Sequence, residues 1–354
     1  MTDYKKELSE LVLIVAKEGA SDLHLAVGRH PTLRISGVLV PLIKKPILTP
    51  DDTNGLILSM LSPADQEILM KEKEADFSFS FEDKVRFRGN AFFQRGFLGA
   101  ALRLIPANIK SFAELGLPES LIDFTKKEQG FFLIVGPVGH GKSTTLAAMI
   151  DYINHERAEH IITIEDPIEY IFTQDKSIID QREVRSDTSD FKTALRSMFR
   201  QDINVGMIGE MRDRETISTA VTAAETGHLI LSSLHTNNAS QTIDRIIDSF
   251  PADQQGQISL QLSGALLGIF SQRLIPRISG GLIPAYELLI SNNAVRNLIR
   301  ENRTHEIDLV IETGFEDGMM SLNRSLASLL RQGEITTESA YAYSLNPNGL
   351  EGLM

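Results

Sequence analysis

Apolar residues recur at helical spacing near the start of the chain, at Leu8, Leu11, Val12 and Val15, and Gly19 stops the pattern. The period then changes to two in DLHLAV (22–27) and in TLRISGVLVPL (32–42), which reads as a hairpin around Ser36-Gly37. Two helices follow, from Pro50 to Met60 and from Pro63 to about Lys73, each with proline near its first turn. Three strand-like runs come next, ADFSFSF (75–81), VRFRGNAFFQ (85–94) and FLGAALRLI (97–105). This N-terminal part is expected to be α+β, a mostly antiparallel sheet flanked by helices. Residues 106–118, PANIKSFAELGLP, begin and end with proline and read as a linker with a short helical piece.

Beyond the linker the pattern is different. The apolar runs FFLIVG, HIITIED, INVGMIGE and HLILSSLH alternate with helical stretches at 142–154, 189–200 and 213–225. Continuous apolar strands separated by helices predict a parallel sheet covered on both faces, an α/β domain. After Ala239 the chain reads as mainly helical. The expected organisation is a domain over 1–105, a linker over 106–118 and an ATPase-like core with a helical C-terminal part over 119–354.

Composition narrows the function classes. The chain has 354 residues, 42% hydrophobic and 23% charged, which suits a folded protein. It has no cysteine, which removes disulfide scaffolds, thiol catalysis and Cys-ligated zinc. No apolar run reaches about 18 residues, and the charged start MTDYKKELSE lacks the apolar segment of a signal peptide. The net charge of -12 is uneven: residues 1–110 carry 15 Lys and Arg against 14 Asp and Glu, so the acidic excess lies in the rest. Bulk charge therefore argues against nonspecific binding of nucleic acid or anionic lipid.

The chemistry centres on Gly136-Pro-Val-Gly139-His140-Gly141-Lys142-Ser143, which fits G-x-x-x-x-G-K-[ST] between a buried strand and a helix. Gly136, Gly139 and Gly141 let backbone N–H groups turn in around a phosphate, and the helix start adds partial positive charge. Lys142 is expected as a solvent-facing ligand of the β- and γ-phosphates, Ser143 as a Mg²⁺ ligand, and Thr144 beside them. His140 either senses phosphate charge or points to solvent, and the solvent reading is preferred. Acids at strand ends, Glu165 with Asp166 and then Glu210, can hold Mg²⁺ through water or orient the attacking water. Taken singly such an acid is a capping charge; two of them after a phosphate loop reverse that reading. His228 and His235 bracket an apolar strand at an odd offset, on opposite faces, so they do not share a metal. They are phosphate or interface contacts, or structural.

GPVGHGKSTT, TIEDPIEY, IGEMRD and TGHLILSSLHT occur in this order. They resemble the Walker A, Asp-box, Walker B and His-box segments of bacterial secretion-type ATPases. Within that group the chain resembles the PilT-like family of type IV pilus retraction (twitching-motility) ATPases. ASDLHLAVG, RFRGNAFFQRG, TIDRIIDSFPADQ and AVRNLIRE carry this likeness along nearly the whole chain.

The resemblance implies a homo-hexameric ring in which each subunit has a PAS-like N-terminal domain and a RecA-like P-loop ATPase domain, with ATP and Mg²⁺ between them. It gives phosphate and metal roles to Lys142 and Ser143, the Asp-box role to Glu165, the catalytic Walker B role to Glu210 and the His-box role to His228 and His235. Arg88, Arg95 and Arg103 are the implied arginines, and their forked donors suit phosphate oxygens of a neighbour. The implied activity is ATP hydrolysis coupled to pilus disassembly at the inner face of the cytoplasmic membrane. The implied partners are an inner-membrane platform protein and a paralogous retraction ATPase, with no nucleic acid. The alternatives are a weakly or non-hydrolysing ATP-binding accessory subunit of the same machine and a RecA-like nucleic-acid translocase.

The sequence departs from the family at Val138 and His140, at Gln201-Asp202-Ile203-Asn204, where Asp-Pro-Asp is usual, and at Gly206. That glycine is expected to weaken its strand and pack nothing. The AVRNLIRE segment puts Val295, Leu298 and Ile299 on one helical face, with Arg296 and Arg300 a turn apart.

Overall fold

The computed structural model describes residues 3–35, 37–81, 85–106 and 108–354. By internal packing it divides into one unit of Met1–Asn108 with Glu169–Ile171 and another of Ile109–Ile168 with Phe172–Met354.

Among its described residues the first unit holds six strands: β1 (Asp22–Leu25), β2 (Thr32–Ile35), β3 (Val38–Pro41), β4 (Glu74–Phe81), β5 (Val85–Gln94) and β6 (Phe97–Ile105). Their order is β3-β2-β1-β6-β5-β4, and every pairing is antiparallel. The helix Tyr4–Lys17 buries Leu8, Leu11, Val12 and Val15, the spacing read from the sequence. Each fully buried side chain of this kind contributes roughly 1.5–3 kcal/mol. These residues pack with Leu23, Leu33, Phe77, Phe87 and Leu102 into one core. The helices Pro50–Leu58 and Pro63–Glu72 start with reciprocal caps, Thr49 with Asp52 and Ser62 with Asp65. Gly37 of the expected hairpin has φ +84°, and Ser36 lies outside the described residues.

The second unit is built on seven strands: β7 (Gly130–Val135), β8 (His160–Glu165), β9 (Ile178–Glu183), β10 (Val205–Ile208), β11 (Leu229–Leu234), β12 (Leu266–Pro276) and β13 (Leu282–Ile290). The order is β13-β12-β7-β11-β10-β8-β9. All neighbours are parallel except β13 on β12. Every residue of β7, β10 and β11 is buried, as a sheet covered on both faces requires. The helices Lys142–Glu156, Phe191–Met198 and Arg214–Glu225 fall where the pattern placed them.

The region after Ala239 is mainly helical, as expected, but β12 and β13 add a long hairpin to the sheet that the pattern did not show. In LLGIFSQRLIP nearly every position is buried, so neither a period of two nor one of 3.6 is visible. Gly206 also packs more than expected: a Cβ there would lie 2.9 Å from Ile230 Cδ1 and 3.1 Å from the Met198 methyl. The glycine makes room for those two side chains.

Candidate nucleotide site

Parallel strands deliver their C-terminal ends to one edge of the sheet, and the loops after β7, β8, β10 and β11 gather there. The loop after β7 turns through Gly136, Gly139 and Gly141 at φ +143°, +80° and +79°. Gly136 has no alternative, since a Cβ would lie 2.3 Å from the Gln272 carbonyl oxygen. Gly139 faces open space, and Val138 at the tip is exposed. Gly141 caps the helix Lys142–Glu156, whose first turn holds Ser143 exposed and Thr144 half-buried.

Lys142 is buried, not solvent-facing: it is only 7% exposed. Its ammonium donates to the carbonyls of Gly136 (2.9 Å) and Pro137 (2.8 Å) and lies 3.1 Å from His235 Nδ1. An ammonium is only a donor, so His235 accepts at Nδ1 and carries its proton on Nε2. Nε2 is 3.2 Å from Glu210 Oε2. Lys142, His235 and Glu210 thus form one hydrogen-bonded series across three loops. Glu210 also pairs with Arg212. Its place is set by Ser233, whose hydroxyl donates to Gly209 O (2.7 Å) and whose carbonyl accepts from Met211 N–H (3.3 Å).

Glu165 ends β8, is buried, and accepts from the Thr163 hydroxyl at 2.7 Å and from Gln181 Nε2 at 3.4 Å. The parallel ladder puts it on the same strand-end edge as Glu210.

His140 does not point to solvent. Its Nδ1 accepts the Leu274 N–H at 2.9 Å, and its ring meets Tyr343 edge-on. Burial, then the charges of Arg273 and Lys142, hold its pKa below the ordinary histidine value.

The structure does not bring His228 to the loop. It precedes β11 while His235 follows it, a separation on the order of 20 Å along an extended strand. His228 Nδ1 bonds to Ala223 O at 3.1 Å, and its ring packs edge-on against Phe199. That is a helix-end and core role.

In the first unit, Arg88 and Arg103 are direct cross-strand partners and both are exposed. Arg103 is drawn to Asp22 at 2.9 Å, whereas Arg88 has no side-chain bond among the described residues. Arg95 sits at φ +54° in the tight turn between β5 and β6. It is on the order of 23 Å along the strand from Arg88, so one subunit cannot bring both to one phosphate.

Sequence reasoning missed Gln272, Arg273 and Ser233. The available signal was polar residues inside apolar runs, since a buried polar group is there to make a hydrogen bond.

Residues 4–315 match the model of the Type II/IV secretion system protein family. The chain belongs to that family. This secretion-system family member is 43% identical over 334 residues to the type IV pilus retractation ATPase PilT of Pseudomonas aeruginosa, covering 94% of this chain and 97% of that protein. It is 41% identical over 345 residues to the type IV pilus ATPase PilU of the same organism, covering 97% and 90%. Among solved structures it is similar to the pilus retraction motor PilT with bound ADP, with a TM-score of 0.91, 48% identity, and coverage of 97% and 98%.

Proposed function

We propose that this chain is the ATP-hydrolysing subunit of a type IV pilus retraction motor. The reading rests on the Lys142–His235–Glu210 series at a glycine phosphate loop. It is supported by the likeness to a retraction motor solved with ADP over 97% of the chain. The loop fits a polyphosphate: its three glycines are in the left-handed region, Gly139 faces open space, and a lysine ammonium already lies against the loop carbonyls.

In this reading Gly136, Gly139, His140, Gly141, Lys142, Ser143 and Thr144 hold the phosphates. Lys142 moves from the loop carbonyls to a phosphate oxygen. Ser143 and Glu210 would hold Mg²⁺, which when bound neutralises charge on the phosphates. Glu210 orients the attacking water and accepts its proton, and His235 keeps the carboxylate aimed at the loop. Glu165 fixes the polar edge beside it. Arg88, exposed and without a side-chain bond among the described residues, supplies a cation to a neighbouring subunit, a contribution typically about 10³–10⁵ in rate.

The wider reading is a homo-hexamer of a PAS-like domain (1–105), a linker (106–118) and a RecA-like domain (119–354). It acts at the inner face of the cytoplasmic membrane on a platform protein. Among the described residues no helix is long and apolar enough to cross a membrane. The 41% identity to PilU motivates a second reading, an accessory subunit that binds ATP and hydrolyses it weakly or not at all.

Turnover measured against protein concentration tests both. A motor gives a rate per subunit that rises with assembly, is abolished by Lys142→Ala, and falls at least about 100-fold in Glu210→Ala with Mg-ATP binding retained. Parent-rate turnover by Glu210→Ala would move water activation to Glu165. Binding without turnover in the parent would select the accessory reading.

A further inference from the structure

Strand β12 outruns its neighbour. Its pairing with β7 ends with Ser271 opposite Val135, so Gln272, Arg273 and Leu274 run beside the phosphate loop itself. Gln272 is 3% exposed and bonded at both ends of its amide. Its Nε2 donates to His140 O at 3.0 Å, and its Oε1 accepts from the Thr145 hydroxyl at 2.6 Å. With Leu274 N–H on the His140 ring, the loop and the first turn of its helix are fastened to β12 at three points.

The adjacent positions fasten a different loop. Ser271 Oγ donates to Asn237 O at 2.9 Å. Arg273 Nη2 reaches Asn237 O at 3.2 Å and Asn237 Oδ1 at 3.4 Å. Asn237 is two residues after His235, the ring between Lys142 and Glu210. Arg273 is 8% exposed, and its Nε has no partner among the described residues. A buried guanidinium that spends its bonds on backbone and amide oxygens of one loop is placed there to hold that loop. On the far side Glu287 of β13 accepts the Ala239 N–H at 2.8 Å, so the segment from Asn237 to Ala239 is tied to the β12–β13 hairpin twice over.

Alternation along the strand separates these tasks. Gln272 projects to the phosphate-loop side, and Ser271 and Arg273 project to the side of the loop after β11. We propose that the tip of β12 is a two-sided clamp for the nucleotide site: Gln272 is the positioning residue for the phosphate loop, and Arg273 is the positioning residue for the His235 loop. The clamp rests on the nucleotide function proposed above. It adds two residues that reach nucleotide only through the loops they hold, and it makes a distinct prediction for each.

Loosening the phosphate loop weakens ground-state binding, because the backbone cradle no longer converges on the phosphates. Loosening the His235 loop leaves the cradle whole and misaims Glu210 during the chemical step. Gln272→Met keeps the side-chain length and removes the hydrogen bonds. It is expected to raise both KM for Mg-ATP and Kd for a fluorescent ATP analogue about tenfold, with kcat within about threefold of the parent. Arg273→Met is expected to lower kcat about tenfold or more, with Kd within about twofold. Arg273→Lys should recover part of that loss, since a lysine can still donate to the Asn237 oxygens. A purely structural role would reduce the number of competent sites, so nucleotide-binding stoichiometry is measured alongside; the clamp requires it to stay at the parent value in all three variants.

The full-length protein is used throughout. The opposite split between the two Met variants, at parent stoichiometry, supports the clamp. An unchanged Kd in Gln272→Met, a loss of turnover that follows stoichiometry, or the same parameter moving in both overturns it. The parent reports separately on the function itself: a parent that neither binds nor hydrolyses ATP overturns the motor reading, whereas a competent parent with unsplit variants overturns the clamp alone.

Discussion

Glu287 is a buried acid that the proposed chemistry does not use, and it makes stability depend on pH. Burial pushes its carboxyl up to about 7, and the nearby Asp308 adds to this; the Ala239 N–H and the charge of Arg273 oppose it. The perturbation is Glu287→Gln, which can still accept the Ala239 N–H and cannot ionise. A carboxyl raised in the folded state binds its proton more tightly there than in the unfolded chain. Its contribution is therefore fully present below the unfolded value near 4.5 and is lost as pH rises through about 7. Moving the carboxyl from 4.5 to about 7 corresponds to about 3 kcal/mol at about 1.4 kcal/mol per tenfold. Most of that lies between pH 5 and pH 8. Thermal unfolding of parent and variant at both pH values measures it. The share between those pH values is about 2.5 kcal/mol, so the variant should gain on the parent by roughly 5–10 °C between pH 5 and pH 8, at about 2–4 °C per kcal/mol for a unit of this size. If the two proteins keep the same separation at both pH values, Glu287 is ionised throughout as the partner of Arg273, and the argument from burial fails.

Three further outcomes follow from the site. His235→Ala breaks the link between Lys142 and Glu210 and should lower kcat by about 10²-fold or more, whereas His228→Ala should leave kcat within about threefold and lower the melting temperature instead; equal kinetic losses would return His228 to the site. Neither Arg88→Ala nor Lys142→Ala should hydrolyse ATP alone, and mixing them should restore part of the activity because each supplies what the other lacks; no recovery in confirmed mixed rings would refute a shared site. Arg296 is exposed on a helix that buries Val295, Leu298 and Ile299. Charge reversal there should spare ATPase activity and stop retraction in cells, and equal loss of both would refute a role confined to motor output.

The local signals were strong wherever one face of an element meets water or a turn needs a special backbone. Leu8, Leu11, Val12 and Val15 announced their helix because its other face is solvated. The three glycines and Lys142 announced the phosphate loop because only that spacing lets backbone amides converge. Period and spacing carry such information because they are properties of neighbouring residues. The β12–β13 hairpin was hidden for the opposite reason: a strand buried on both faces has no polar phase, so its apolar run looks the same as a buried helix. Only the folded chain decided between the two histidines. Both flank the same strand, but a parallel sheet uses one end of each strand for chemistry, which puts His235 beside Lys142 and leaves His228 against Phe199. The same holds for Gln272, 132 residues from the His140 carbonyl it holds, and for Arg273, 36 residues from Asn237. Strand order sets such contacts, and strand order comes from the packing of the whole sheet, which no local pattern records.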